Sequence, residues 1–397
     1  MQSSKPLQLR HVFGFRADVS NPFSFVDEHN VIFSAGHSVI VHNIEDKTQT
    51  FFGGQPLSSG TTVCNVITAI DVYTPKKIVA VAEKTEKSAV IQLLELSASV
   101  DRDKKERRKR RKMIHCSDIQ SREIIALKFS HDGKFLLAMG GAPDWCVMTY
   151  QREKGRVVQI LRNQTISSMP FYSGSYCPSD NNLIVCTGHK VLKFYKAEQV
   201  ELRRTISPVA IAMGKRDPQD YSAHCWDQDK RLLVATEHGE ILMFDGTEFR
   251  GAFDTQFSQP IFCIVSYSRG FVCGGDNGTL LAFERGDDDD KDAYKKVNQL
   301  SMVNEHHSIT HLAVAPSEEQ LACIVASNQI YTVNLSQIEI LKQQDCDEDE
   351  DDDDEWLDEK GVAAENDANF QLLLTAFHCK GINGLDLCMR KPYVVSC

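Results

Sequence analysis

Nowhere in the 397 residues do 18 apolar positions follow one another, so no helical membrane span is expected. The opening stretch, MQSSKPLQLRHVFGF, has none of the charged start, apolar core and small-residue cleavage site of a secretory signal. Cysteine is plentiful at 13, yet no two stand as C-x-x-C. Several occupy strand-like positions: Cys186 in LIVCTG, Cys273 in GFVCGG and Cys323 in LACIVA. Reduced cysteines in such places behave as small hydrophobes, and the cytosolic side of the cell is the expected location.

Catalytic signatures are missing too. There is no nucleophile elbow, no Gly-rich phosphate loop opening a helix and no H-E-x-x-H. Gly140-Gly141 and Gly274-Gly275 end apolar runs, where glycine relieves a tight turn. His306, His307 and His311 have no Cys or carboxylate at ligand spacing, and adjacent histidines on a strand face opposite ways. No enzymatic activity, cofactor, metal or small-molecule substrate is expected. The formal charge of −11 arises mostly from Asp287–Asp290 and the run from Asp345 to Glu359. Without them the chain is near balance, so a uniformly basic, nucleic-acid-binding surface is not indicated.

What the chain does have is a recurring grammar. Ile124–Tyr150, IIALKFSHDGKFLLAMGGAPDWCVMTY, alternates through Ile125, Leu127 and Phe129, turns at His131-Asp132-Gly133-Lys134, and continues as the apolar run Phe135–Met139. Two glycines and a third strand follow. Period-2 alternation marks a half-buried strand, and Asp-Gly between two such runs signals a hairpin. Comparable triplets begin near Phe23, Ile67, Tyr172, Tyr221, Ile261 and Ile309. Their spacing of roughly 40–55 residues is the period of a four-stranded propeller blade, and seven copies predict an all-β, seven-bladed propeller. Leu7–Phe15 has strand character and is expected to supply the outer strand of the seventh blade, joining the ends of the ring.

Charged insertions break the rhythm. Asp101–Met113 carries nine basic residues, among them Lys104, Lys105, Arg107, Arg108, Lys109, Arg110, Arg111 and Lys112. Such a run suits nuclear import, docking on an acidic polymer such as the microtubule surface, pairing with an acidic run of the same chain, or plain solvation. No aromatics interleave it, so base stacking on nucleic acid has no support. Trp356-Leu357, within DDDDEWLDEK, is a candidate acidic docking segment. Trp145 and Trp226 fall in strand patterns and are expected to pack between blades.

The tails His238–Asp245 (HGEILMFD) and Asp276–Glu284 (DNGTLLAFE) resemble the G-x-[IL]-x-x-[FW]-[DE] end of the WD repeat. The WD dipeptide itself is absent from repeat ends, and the literal Trp226-Asp227 ends a first strand instead. The wording of Val19–Phe52, Phe129–Trp145, Tyr221–Asp245 and Phe377–Cys397 is similar to WD-repeat proteins of the ciliary and flagellar axoneme. That resemblance implies a scaffold: two propellers followed by coiled coil, helping to dock or regulate inner dynein arms on doublet microtubules. The implied location is cytoplasm, cytoskeleton and cilium axoneme. The implied partners are axonemal and inner-arm components, with microtubules among them and no membrane.

The expected domains are a propeller over 7–343 with residues 7–16 as closing strand, and a basic loop insertion over 101–113. An acidic linker at 344–366 and the start of a second, incomplete propeller at 367–397 follow. The alternative function is a nuclear or cytoplasmic WD-repeat scaffold, in RNA processing or as a substrate adaptor, using the basic loop for nuclear import.

Overall fold

The computed structural model of the chain describes residues 10–53, 66–96, 112–162, 169–200, 203–257, 259–286, 294–302, 306–336, 370–374, 384–388, 390–391 and 394–396. These residues form seven four-stranded antiparallel sheets and one two-stranded hairpin. The first blade comprises β1 (Phe23–Phe25), β2 (Asn30–Ala35), β3 (Ser38–Asn43) and β4 (Gln49–Gly53). The second comprises β5 (Val66–Tyr73), β6 (Ile78–Lys84), β7 (Ala89–Glu95) and β8 (Lys112–His115). The third has β9 (Ile124–Phe129), β10 (Phe135–Gly140), β11 (Val147–Gln151) and β12 (Arg156–Leu161). The fourth has β13 (Phe171–Tyr176), β14 (Leu183–Gly188), β15 (Val191–Val200) and β16 (Arg203–Val209). The fifth has β17 (Tyr221–Trp226), β18 (Leu232–Thr236), β19 (Glu240–Asp245) and β20 (Glu248–Asp254). The sixth has β21 (Cys263–Tyr267), β22 (Gly270–Gly274), β23 (Thr279–Arg285) and β24 (Tyr294–Ser301). The seventh has β25 (Ile309–Val314), β26 (Gln320–Val325), β27 (Gln329–Asn334) and β28 (Gln371–Leu374), and the hairpin pairs β29 (Leu385–Leu387) with β30 (Val394–Ser396).

First strands meet first strands around the molecule. β1 lies against β5, β5 against β9, β9 against β13, β13 against β17, β17 against β21 and β21 against β25. β25 returns to β1, and that contact closes the ring. Closure leaves no inner sheet edge open for pairing with another chain.

One apolar cluster fills each seam between neighbouring blades. Middle strands serve two seams at once. Leu136 and Ala138 of β10 join the cluster shared with the second blade, while Leu137 and Met139 join that shared with the fourth. In β18, Leu232 and Val234 face the fourth blade and Leu233 and Ala235 the sixth. Burial on both faces is why these strands read as unbroken apolar runs. Full burial of each large apolar side chain contributes roughly 1.5–3 kcal/mol, so the seams dominate the stability of the ring. Gly140 and Gly274 end strands where a Cβ would come within 2.7 Å of Cys146 Sγ and 2.6 Å of Cys263 Sγ. Packing explains both glycines.

The structure corrects the expected closure. The outer strand of the seventh blade is Gln371–Leu374, paired with β27, and residues 10–16 form no strand. They run instead as a strap over the first blade. The Val12 N–H donates to Gln49 Oε1 at 2.8 Å, and Gln49 Nε2 donates to the Val12 carbonyl at 3.1 Å. Phe15 is buried in the seam between the first and seventh blades, beside Phe33 and Ile330. The strap therefore still joins the ends of the ring, through packing. Because β28 belongs to the seventh blade, the acidic stretch is an insertion within that blade, and the propeller extends past 343 to Leu374. Trp145 packs between blades as expected, on the seam of the third and fourth, but from the turn before β11 and not from within a strand.

Candidate interaction surfaces

Strand direction decides where loops emerge. In every blade the turns between first and second strands and between third and fourth strands leave on one face, here the lower face. The basic run connects β7 to β8, the aspartates 287–290 connect β23 to β24, and the acidic run connects β27 to β28. All three are connections between third and fourth strands, so all three depart from the lower rim. The sixth and seventh blades adjoin, and only the first separates the seventh from the second.

Lys104, Lys105, Arg107, Arg108, Lys109, Arg110 and Arg111 lie outside the described residues, as do Trp356 and Leu357. Lys112 is described, and it is no part of a free basic loop. It opens β8, and its Nζ donates to the carbonyl oxygens of Arg152 at 3.0 Å and Glu153 at 3.1 Å. Its charge is committed to the turn between β11 and β12 of the neighbouring blade.

The inner strands carry a polar network that the repeat pattern hides. Asp71 of β5 is buried and accepts from the Phe129 N–H at 2.7 Å and from Lys128 Nζ at 3.0 Å. Asn21 donates through Nδ2 to the Ile70 carbonyl at 3.0 Å and accepts from His311 Nε2 at 2.9 Å. Across the axis, His224 places Nδ1 3.0 Å from Thr187 Oγ1 and Nε2 2.8 Å from Ser175 Oγ. Ser175 Oγ also accepts the Trp226 indole N–H at 2.8 Å. Burial, and secondly the Lys128 ammonium, hold His224 down at about 3 and His311 down at about 4. Both imidazoles are therefore neutral at neutral pH, each needing its tautomer for the bonds described. At the lower mouth of the axis, a cleft of about 350 Å³ opens between Phe25, Asp71, Thr74, Lys128 and Pro316. The visible sequence signal was a polar residue set within an apolar first strand, as in AIDV, ALKF, AHCW and THLAV.

Between the fifth and sixth blades sits a buried ionic cluster. Asp227 and Arg231 are only 7% and 6% exposed, and Arg231 Nε donates to Asp227 Oδ2 at 2.8 Å. The Tyr294 hydroxyl donates to the same oxygen at 2.7 Å. With every charge answered, this cluster is structural. Among the described residues no three His, Cys, Asp or Glu side chains gather as a metal site.

A closed ring of seven four-stranded blades with a side-chain-filled core defines a WD40-type β-propeller. Solved structures share that fold: a chain of a mitotic checkpoint complex aligns with TM-score 0.58 at 8% identity, over 84% of this chain and 98% of that one. The C-terminal WD40 domain of Sif2 aligns with TM-score 0.55 at 12% identity, over 83% and 84%. Sequence relatives are more particular. The chain is similar to cilia- and flagella-associated protein 57 of Mus musculus, at 25% identity over 98% of this chain and 32% of that protein. It is also similar to cilia- and flagella-associated protein 57 A of Tetrahymena thermophila, at 26% identity over 98% and 32%. The chain thus spans about a third of the length of these curated relatives. No family model matches it.

Proposed function

We propose that the chain is a non-enzymatic interaction platform of the ciliary or flagellar axoneme, one that helps dock or regulate inner dynein arms on doublet microtubules. The observation that carries this reading is collinear similarity: 98% of the chain aligns with proteins named for cilia and flagella. The fold supports it, because a rigid ring presents loops on two faces and the strands that flank the charged insertions end on one of them. The β29–β30 hairpin, with Leu385, Val394 and Val395 exposed, fits the opening pair of a second propeller.

Expression of a tagged chain in ciliated cells, followed by detergent extraction, tests the location. Retention along the axoneme is expected. Complete release into the soluble fraction rejects the reading. So does nuclear accumulation abolished by replacing residues 107–112, which would favour a nuclear scaffold.

A further inference from the structure

On the lower rim, the outer strands of the third and fourth blades leave a groove of about 510 Å³ between them. Gln159 closes one end. Its Oε1 accepts from the Ile206 N–H at 2.6 Å and its Nε2 donates to the Ile206 carbonyl at 3.0 Å, so a side chain stands in for a neighbouring strand.

Among the described residues the charge of the groove is one-sided: Lys154, Arg156 and Arg204 line it and no carboxylate does. Lys154 and Arg156 are exposed, and neither forms an ion pair among the described residues. Arg204 is half-buried, with its guanidinium stacked over the Phe135 ring at 3.8 Å and Nη2 donating to the Asn181 carbonyl at 2.6 Å. Its Nε is buried and meets no acceptor. Asp132 and Asp180 act on Arg204 through their charge, but neither lines the groove and both are bonded within their own turns. Asp132 holds Ser130 and Lys134, and Asp180 accepts from the Asn182 N–H at 2.9 Å. The unmet buried donor carries a desolvation cost, and the two exposed cations beside it favour an anionic ligand, whose carboxylates would form charge-assisted hydrogen bonds with them.

We propose that this groove receives an acidic peptide segment of a partner protein, its carboxylates bound by Lys154, Arg156 and Arg204 and its stem resting on Phe135 and Val157. The proposal rests on the platform reading and names the partner's chemistry. Of the chain's own acidic runs, reach excludes the shorter one. Residues 287–290 leave the sixth blade on a connection too short to pass the fifth, at about 3.3–3.6 Å per residue. The run at 345–359 leaves the seventh blade, three blades away in either direction, on a connection of 36 residues whose length allows it to span the ring, and it is therefore the competing occupant that the test separates.

The test is fluorescence anisotropy of a labelled ten-residue oligoglutamate titrated with the full chain. Saturable binding that weakens with salt is expected. The double variant Lys154→Glu/Arg156→Glu should bind about ten-fold or more weakly with unchanged melting, whereas Lys87→Glu on the opposite face should bind as the parent does. Equal weakening by Lys87→Glu, or no effect of the double variant, overturns the groove. Binding that appears only after residues 340–366 are replaced by a neutral linker overturns the partner and makes the chain's own acidic run the occupant. Because the assay needs no axoneme, its failure is separable from failure of the ciliary location.

Discussion

His311 on the seventh blade donates through Nε2 to Asn21 Oδ1 at 2.9 Å, a bond between residues 290 positions apart. Asn21 in turn donates to the Ile70 carbonyl of the second blade at 3.0 Å, so one asparagine ties three blades together. Two further bonds cross the same seam: Ala17 N–H to Asn328 Oδ1 at 3.3 Å and Ser317 Oγ to Glu28 Oε2 at 2.8 Å. Among the described residues the ring closes by side-chain bonds and a buried seam, with no strand exchanged between its first and last blades.

Closure by packing makes Phe15 more important than any hydrogen bond of the strap. Phe15→Ala should cost about 3–5 kcal/mol by leaving a cavity in the seam, and Asn21→Ala about 1–3 kcal/mol by orphaning partly buried partners. Urea unfolding measures both. An unchanged midpoint for Phe15→Ala would contradict closure through this seam.

The two axial histidines predict how stability depends on pH. In the unfolded chain a histidine takes up its proton near 6.5, whereas folded His311 does so near 4 and folded His224 near 3. Between those values the unfolded state binds more protons, so stability falls as pH drops from about 6.5 toward 4 and below. The carboxylates of Asp27 and Asp132, held below their ordinary value of 3.8, add their loss as pH approaches that value and falls below it. His311→Gln keeps a donor for Asn21 and cannot titrate. It should flatten the melting-temperature profile between pH 6.5 and 4; an unchanged slope would show that His311 does not carry the effect.

Lys112 and the basic run preceding it should behave differently. Lys112→Ala removes two hydrogen bonds to the turn between β11 and β12 and should cost about 1–2 kcal/mol. Replacing residues 101–111 with a neutral linker, which leaves β7 and β8 joined, should hardly move the melting temperature. The reverse order of effects in thermal denaturation would contradict the assignment of Lys112 to the fold.

Asp227→Ala should be among the most damaging single changes. It leaves the Arg231 guanidinium buried without its carboxylate, a change worth about 3–5 kcal/mol. Tyr294→Phe removes one hydrogen bond to the same carboxylate and should cost only about 1 kcal/mol. Chemical denaturation of both variants separates the two; equal losses would mean that the tyrosine, and not the ion pair, organises the cluster.

The first three strands of each blade were legible because burial forces a pattern on them. Fourth strands were not. β12 and β24 are half-exposed and mix charged with apolar residues, as in RVVQIL and YKKVNQLS, so neither alternation nor a continuous run appears. The closing strand was misplaced because Leu7–Phe15 and Gln371–Leu374 are both short apolar stretches. Only the three-dimensional pairing with β27 distinguishes them. The axial network escaped for a related reason. A lone Asp71, Lys128, His224 or His311 on a first strand looks like the solvent side of any half-buried strand. The rim groove joins residues of two blades, Arg156 and Arg204, which no local window contains together.

Rebinding of the purified chain to isolated axonemes tests the central claim most directly. Labelled chain is added to salt-washed axonemes and the bound fraction is measured against its concentration. The account predicts saturable binding that unlabelled chain displaces and that rising salt weakens. Binding that never saturates, or none above that of an unrelated propeller, would contradict an axonemal docking function for this ring.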